Sequence, residues 1–231
     1  MKTTFWPCRY GRYLLLIIPL MVMSLSFTPS KSFRIVFFGD SITELGEAEG
    51  GYIDLMRKDI ARRGLDNRYE LIGAGVSGNK VYDLFLRLDE DVLSRKPDMV
   101  FIYIGINDVW HKQWGTGTDA DKFERFYRAI IRKIKNAGAD PVLCTPTVIG
   151  ERTDFTNQPD GDLNLYAKIV RKIAEDELCK LIDLRAVFLD YNLQHNPDNR
   201  SSGILTTDGV HLNDAGNRLV AETFLSEVFP K

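Results

Sequence analysis

From residue 33 onward, short apolar runs alternate with longer stretches in which apolar residues recur every three or four positions. The first run, Phe33 to Phe38, is built of Phe, Val and Ile and stops at Gly39, as a buried strand feeding a tight turn does. Gly50 to Arg63 then sets Ile53, Leu55, Met56 and Ile60 among charges, an amphipathic helix that ends at Gly64. Tyr69 to Ile72 reads as a second strand, followed by the small-residue turn Gly73 to Asn79 and a helix marked by Val81, Leu84, Phe85 and Leu88. Met99 to Ile104 has the composition of a central strand buried on both faces and runs into Gly105-Ile106-Asn107-Asp108. A loop containing Trp110 and Trp114, from Val109 to Thr118, leads to a long helix with Phe123, Phe126, Ile130, Ile131 and Ile134 on one side. Pro141 to Cys144 and Lys180 to Asp183 are the fourth and fifth strands, and Leu163 to Glu177 is the helix between them. Asn192 to Thr207 is polar and turn-rich, and a last helix is expected over residues 214–228.

Strands alternating with amphipathic helices require right-handed crossovers, which predicts an α/β fold: a mainly parallel, five-stranded sheet with helices on both faces. Ligands in such folds bind beyond the carboxyl ends of the strands. Ser41, the turn Gly73 to Asn79 and the turn Gly105 to Asp108 all follow strand ends and are expected to share that edge. The pattern shows no internal repeat or linker after residue 30.

The N-terminus departs from this pattern. Lys2, Arg9 and Arg12 precede an uncharged stretch to Ser30, and its strongly apolar part, Leu14 to Leu25, is interrupted by Pro19. That is short of the roughly twenty residues a membrane span needs, so residues 1–28 are expected to be a secretory signal, with an uncleaved N-terminal anchor as the alternative, and residues 29–231 the functional domain. Export would make the protein secreted or periplasmic. The net charge of −2 and the absence of a basic block interleaved with aromatics point away from nucleic acid. Membrane contact is expected only through an uncleaved N-terminal segment. After removal of the leader, Cys144 and Cys179 remain, at a spacing that resembles no disulfide framework; two buried thiols are the expectation. His111, His195 and His211 form no metal-binding pair, so neither a metal nor a cofactor is expected.

Four short motifs carry candidate chemistry. Ser41, after Gly39-Asp40 at a strand end and beside a helix start, is the candidate nucleophile; capping of that helix is its structural alternative. Gly73-x-Gly75-x-x-Gly78 spells a dinucleotide fingerprint, but it lies on the second strand, and the next acid at a strand end comes some thirty residues later instead of about twenty. Ser77 sits in a near match to Gly-x-Ser-x-Gly whose last position is Asn79, which makes it a poorer nucleophile than Ser41. Gly78 can instead offer a backbone N–H, and Asn107 a side-chain amide, to a developing oxyanion. Asp208-Gly209-Val210-His211 supplies a base: an acid three residues before a histidine can accept the Nδ1 proton and leave Nε2 facing the serine. Asp108 to His111 repeats that spacing, but Asp108 lies in the turn that must aim Asn107, so His211 is favoured.

Gly39-Asp40-Ser41, Gly78-Asn79, Gly105-Ile106-Asn107-Asp108 and Asp208-Gly209-Val210-His211 together resemble the SGNH hydrolases, also called GDSL esterases/lipases, over essentially the whole chain from Phe33. The resemblance implies a flavodoxin-like three-layer sandwich with Ser41, Asp208 and His211 as catalytic residues. It also implies an oxyanion hole from Gly78, Asn107 and the Ser41 N–H. Such a protein is a serine ester hydrolase working through an acyl-enzyme, without a cofactor. Asp40, Asn79, Trp110 and Trp114 are candidate substrate contacts. The expected substrates are small-molecule or glycan esters with short acyl groups. A lysophospholipase or thioesterase acting on long chains is the alternative, as is a non-catalytic binding module of the same fold.

Overall fold

In a computed structural model, residues 1–4 and 32–229 are described; the expected leader, residues 1–28, lies largely outside them. Five parallel strands, β1 (Phe33–Gly39), β2 (Tyr69–Gly75), β3 (Met99–Tyr103), β4 (Asp140–Cys144) and β5 (Lys180–Ile182), form one sheet in the order β2-β1-β3-β4-β5. This is the flavodoxin-like order, in which the chain turns from one side of β1 to the other and leaves a crevice at the β1/β3 switch point.

Among the described residues, eight α-helices cover the sheet: α1 (Ser41–Gly46), α2 (Tyr52–Arg62), α3 (Val81–Asp91), α4 (Ile106–Trp110), α5 (Ala120–Asn136), α6 (Asp160–Asp176), α7 (Leu184–His195) and α8 (Asp214–Val228). Successive side chains on β1 face opposite sides. Phe37 packs on Tyr52 of α2, Phe101 of β3 and Phe224 of α8. Phe38 instead lies under Arg87 of α3. One layer is therefore built around the α2/α8 pair and the other around α3, α5 and α6. Val36, Phe37, Phe38, Val100, Phe101 and Ile102 are fully buried, so β1 and β3 are apolar on both faces, as their composition requires.

Three elements differ from expectation. Strand β2 continues through Gly73 to Gly75, because Gly73, Ala74 and Gly75 pair level with Phe37, Phe38 and Gly39; the glycines that read as a turn are strand residues without side chains. A Cβ on Gly75 would lie 2.0 Å from the Glu44 nitrogen. The Gly-x-Gly spacing thus records the close approach of α1 to β2, not a phosphate cradle. The Val109 to Thr118 loop is partly helical, with α4 followed by a 3-10 turn over His111–Trp114. Helix α7 begins where no element was expected. Asp183 caps it by accepting from the Ala186 N–H, and Arg185, buried on its first turn, pairs with Asp160 at 2.7 Å and blurs the apolar stripe. Cys144 is fully buried, whereas Cys179 is half-buried, a less enclosed place than expected; both are free thiols.

Candidate active site

The register sets Gly39, Gly75 and Tyr103 side by side, so the segments that follow β2, β1 and β3 leave the sheet at one level. Ser41 begins α1 two residues after Gly39. Gly39 is required there because a Cβ would lie 2.3 Å from the Thr43 hydroxyl and 2.4 Å from the Tyr103 carbonyl. Asp40 caps α1, accepting the Ile42 N–H at 3.0 Å, and is 2 % exposed. Its carboxyl therefore lies buried at the N-terminus of α1. Burial, reinforced by the Asp108 carboxyl and opposed by the Ile42 bond, pushes the Asp40 carboxyl up to about 7.

Ser41 Oγ stands 3.0 Å from His211 Nε2, and His211 Nδ1 stands 2.7 Å from Asp208 Oδ2. The second Asp208 oxygen accepts the backbone N–H groups of Val210 and His211 at 2.9 and 2.8 Å. This Asx turn folds the three-residue spacing so that acid and imidazole meet. Although partial burial alone would raise the Asp208 carboxyl, its bonds to the His211 ring and to the two amides hold it below the ordinary carboxylate range. An ionised Asp208 fixes the Nδ1–H tautomer and leaves the Nε2 lone pair for the Ser41 hydroxyl.

Gly78 lies three residues beyond β2 in a turn with φ +77°, a conformation glycine adopts without strain. Asn107 sits in the first turn of α4, 3 % exposed, and donates one amide hydrogen to the Asn79 carbonyl at 3.1 Å. That bond fixes the plane of the amide, and the second N–H remains. Asn79 is half-buried, and its side-chain oxygen accepts from Arg87 at 2.6 Å, so it braces the turn. Ser77 is exposed and bonded to Glu44 through both N–H and hydroxyl, at 2.6 and 2.5 Å, which ties the Gly78 turn to α1 and occupies the rival serine.

Trp110 is half-buried, with its ring 6.4 Å from that of His211 and 5.7 Å from that of Trp114. Trp114 is 58 % exposed. The two rings and His111 make an aromatic wall beside the histidine of the site. His111 points into this wall: burial, with Lys80 nearby, holds its imidazole below the ordinary range. Asp108, its would-be partner, is fully buried and accepts the Val81 N–H at 3.2 Å, so the Asp108/His111 spacing does not make a second acid–histidine pair.

Residues 37–219 match the model of the GDSL-like lipase/acylhydrolase family. The chain belongs to this family. A solved acetyl xylan esterase shares 56 % identity with it and superposes with a TM-score of 0.84, covering 85 % of this chain and all of the other. The acetylxylan esterase of Geobacillus stearothermophilus is 30 % identical over 216 residues, 84 % of this chain and 93 % of that protein. A GDSL esterase/lipase of Arabidopsis thaliana is 26 % identical over 82 % of this chain and 83 % of the other. The GDSL fold expected from the motifs is the fold observed, and with the family goes the reaction class, hydrolysis of carboxylic esters.

One residue of this GDSL site escaped the sequence reading. Glu151, 1 % exposed in the loop after β4, receives the backbone N–H groups of Ile204, Leu205 and Thr206 at 2.8, 2.6 and 2.7 Å. The Gly150 N–H also donates to the Gly209 carbonyl at 2.8 Å. Together these bonds hold the segment that carries Asp208 and His211. The signal was faint, because an isolated Glu in a polar loop reads as solvated.

Proposed function

We propose that this GDSL hydrolase removes short acyl groups, acetyl foremost, from esterified carbohydrate through an acyl-enzyme on Ser41. The alignment of Ser41 Oγ, the His211 ring and Asp208 at 3.0 and 2.7 Å carries the proposal. As Oγ attacks the acyl carbon, its proton passes to His211 Nε2, and Asp208 stabilises the imidazolium through Nδ1–H. The carbonyl oxygen, now negative, is held by the N–H groups of Ser41 and Gly78 and by the Asn107 amide. Collapse expels the sugar oxygen, which takes the proton from His211. A water then gives one proton to the same nitrogen as its oxygen attacks the acyl carbon; collapse breaks the bond to Oγ, which takes that proton back from His211, so the carboxylic acid leaves and Ser41 is restored.

Two observations favour an acetylated glycan over a long-chain lipid. The aromatic wall of Trp110 and Trp114 offers ring faces on which a sugar can stack. The protein 56 % identical to this one carries the name acetyl xylan esterase, as does the Geobacillus relative. In the latter, structures titled catalytic mutants alter a serine, a histidine and an aspartate three residues before that histidine, the spacing of Asp208 and His211 here. Residues 1–28 act as an export signal on this reading, which delivers the enzyme to extracellular polysaccharide. The test is a p-nitrophenyl ester series from acetate to palmitate together with acetylated xylo-oligosaccharides. Highest kcat/KM on acetate and release of acetate from the oligosaccharide support the proposal; a preference for long chains overturns it in favour of a lysophospholipase.

A further inference from the structure

Arg87, on the inner face of α3, lies outside every motif of the site and yet bonds to two of the strand ends that build it. Its side chain is 16 % exposed, and its guanidinium carbon lies 4.6 Å from the centre of the Phe38 ring. Four hydrogen bonds leave the fork. Nη2 donates to the Gly39 carbonyl at 2.7 Å and to the Ala74 carbonyl at 2.9 Å, Nε donates to Asn79 Oδ1 at 2.6 Å, and Nη1 donates to Asp91 at 2.8 Å. Gly39 and Gly75 are the last paired residues of β1 and β2, and the Gly39 carbonyl also accepts the Val76 N–H at 3.2 Å, so the guanidinium joins the ladder at its final rung. Gly39 precedes Ser41 by two residues, Asn79 follows Gly78 directly, and the Asn79 carbonyl orients the Asn107 amide at 3.1 Å.

We infer that Arg87 is a positioning residue that fixes the spacing between the Ser41 corner and the Gly78-Asn79 turn, and so the geometry of the oxyanion donors. It reaches no reacting atom; it acts through Gly39 on the Ser41 corner and through Asn79 on Gly78 and Asn107. The planar fork is what the place requires, because one group must reach two carbonyls and an amide oxygen in fixed directions, which a lysine ammonium on a flexible stem does not do. The bond to Asp91 is a partly exposed i,i+4 pair and contributes little. This inference rests on the esterase reading above.

The test measures kcat and KM on p-nitrophenyl acetate at 25 °C, with melting temperatures to confirm folding, for wild type, Arg87→Lys, Asn79→Ala and Asp91→Ala. Oxyanion donors act mainly on the transition state, so Arg87→Lys is expected to lower kcat by about 10- to 100-fold with KM changed by no more than about threefold. Asn79→Ala, which cuts the guanidinium off from the turn but leaves its strand-end bonds, reproduces part of that loss, and Asp91→Ala leaves kcat unchanged. Combined with Asn107→Ala, Arg87→Lys costs distinctly less than it does alone, since the two act on one device. Wild-type kcat in folded Arg87→Lys, a loss confined to KM, or full additivity with Asn107→Ala overturns the inference. Should Arg87→Lys not fold, Asn79→Ala and its combination with Asn107→Ala decide the question by the same criteria. A wild-type protein inactive on every ester overturns the esterase reading itself, a result distinct from active wild type with an indifferent Arg87.

Discussion

Replacing Glu151 by Gln changes one atom of a buried side chain and removes the support under the Asp208/His211 loop. In the wild type, Oε1 accepts from Leu205 and Thr206 and Oε2 from Ile204, at 2.6 to 2.8 Å. Glutamine can turn its carbonyl to the first pair, but its NH2 then meets the Ile204 N–H, donor against donor. Two charge-assisted bonds become neutral, a loss of roughly 1 kcal/mol each, and one buried N–H is orphaned at roughly 1–3 kcal/mol. The sum, about 3–5 kcal/mol, is a large share of the stability of a domain this size. At about 2–4 °C per kcal/mol it lowers the melting temperature by roughly 6–20 °C. Differential scanning calorimetry reads the shift, and turnover on p-nitrophenyl acetate well below the melting temperature reads the loop, with a drop in kcat expected as His211 loses its fixed place. A melting temperature within about 2 °C of wild type would falsify the assignment of Glu151 as the loop's anchor.

Other outcomes follow from the same geometry. Asn107→Ala is expected to lower kcat by about 10² to 10³, the scale for one oxyanion donor; undiminished turnover removes it from that role. His211→Ala is expected to cost roughly 10⁴ or more in kcat, while His111→Ala, altering only the aromatic wall, keeps most activity; an exchange of these phenotypes refutes the assignment of the base. Burial raises Asp40 to about 7 and Asp108 to about 6. In the range between the ordinary carboxylate value and those values, the folded state holds protons that the unfolded state has released. Their contribution is therefore complete at acid pH and is lost as pH rises through about 6 to 7. Asp40→Asn, which keeps an acceptor for the Ile42 N–H, should make the decline in melting temperature between about pH 5 and pH 8 shallower; an unchanged slope shows that Asp40 does not titrate there. Asp208 works in the opposite sense and at lower pH, its support being lost as pH falls through its depressed value.

The strands and most helices were legible because they are periodic: Val100 to Ile102 reads as buried on both faces and is. The candidate site was legible for a different reason, since Ser41, Gly78, Asn107 and the Asp208/His211 pair each follow a recognisable break in the pattern. The glycines of β2 were misread because absence of a side chain signals both a turn and close packing, and only the neighbouring α1 decides between them. Helix α7 was missed because Arg185 occupies a core position that periodicity assigns to apolar residues. Arg87 and Glu151 were invisible for a related reason. A charged residue in a helix or loop reads as solvated, and nothing local announces backbone groups from residues 39, 74 and 204–206 arriving around it.

The central claim, that Ser41 is a nucleophile activated by His211 and Asp208, is tested most directly by a fluorophosphonate probe followed by intact mass and peptide mapping. The folded wild-type protein should take up one probe molecule, located on Ser41, with Ser41→Ala unlabelled and His211→Ala labelled far more slowly. A folded wild-type protein that acquires no adduct, or one that acquires it on Ser77, would contradict the account.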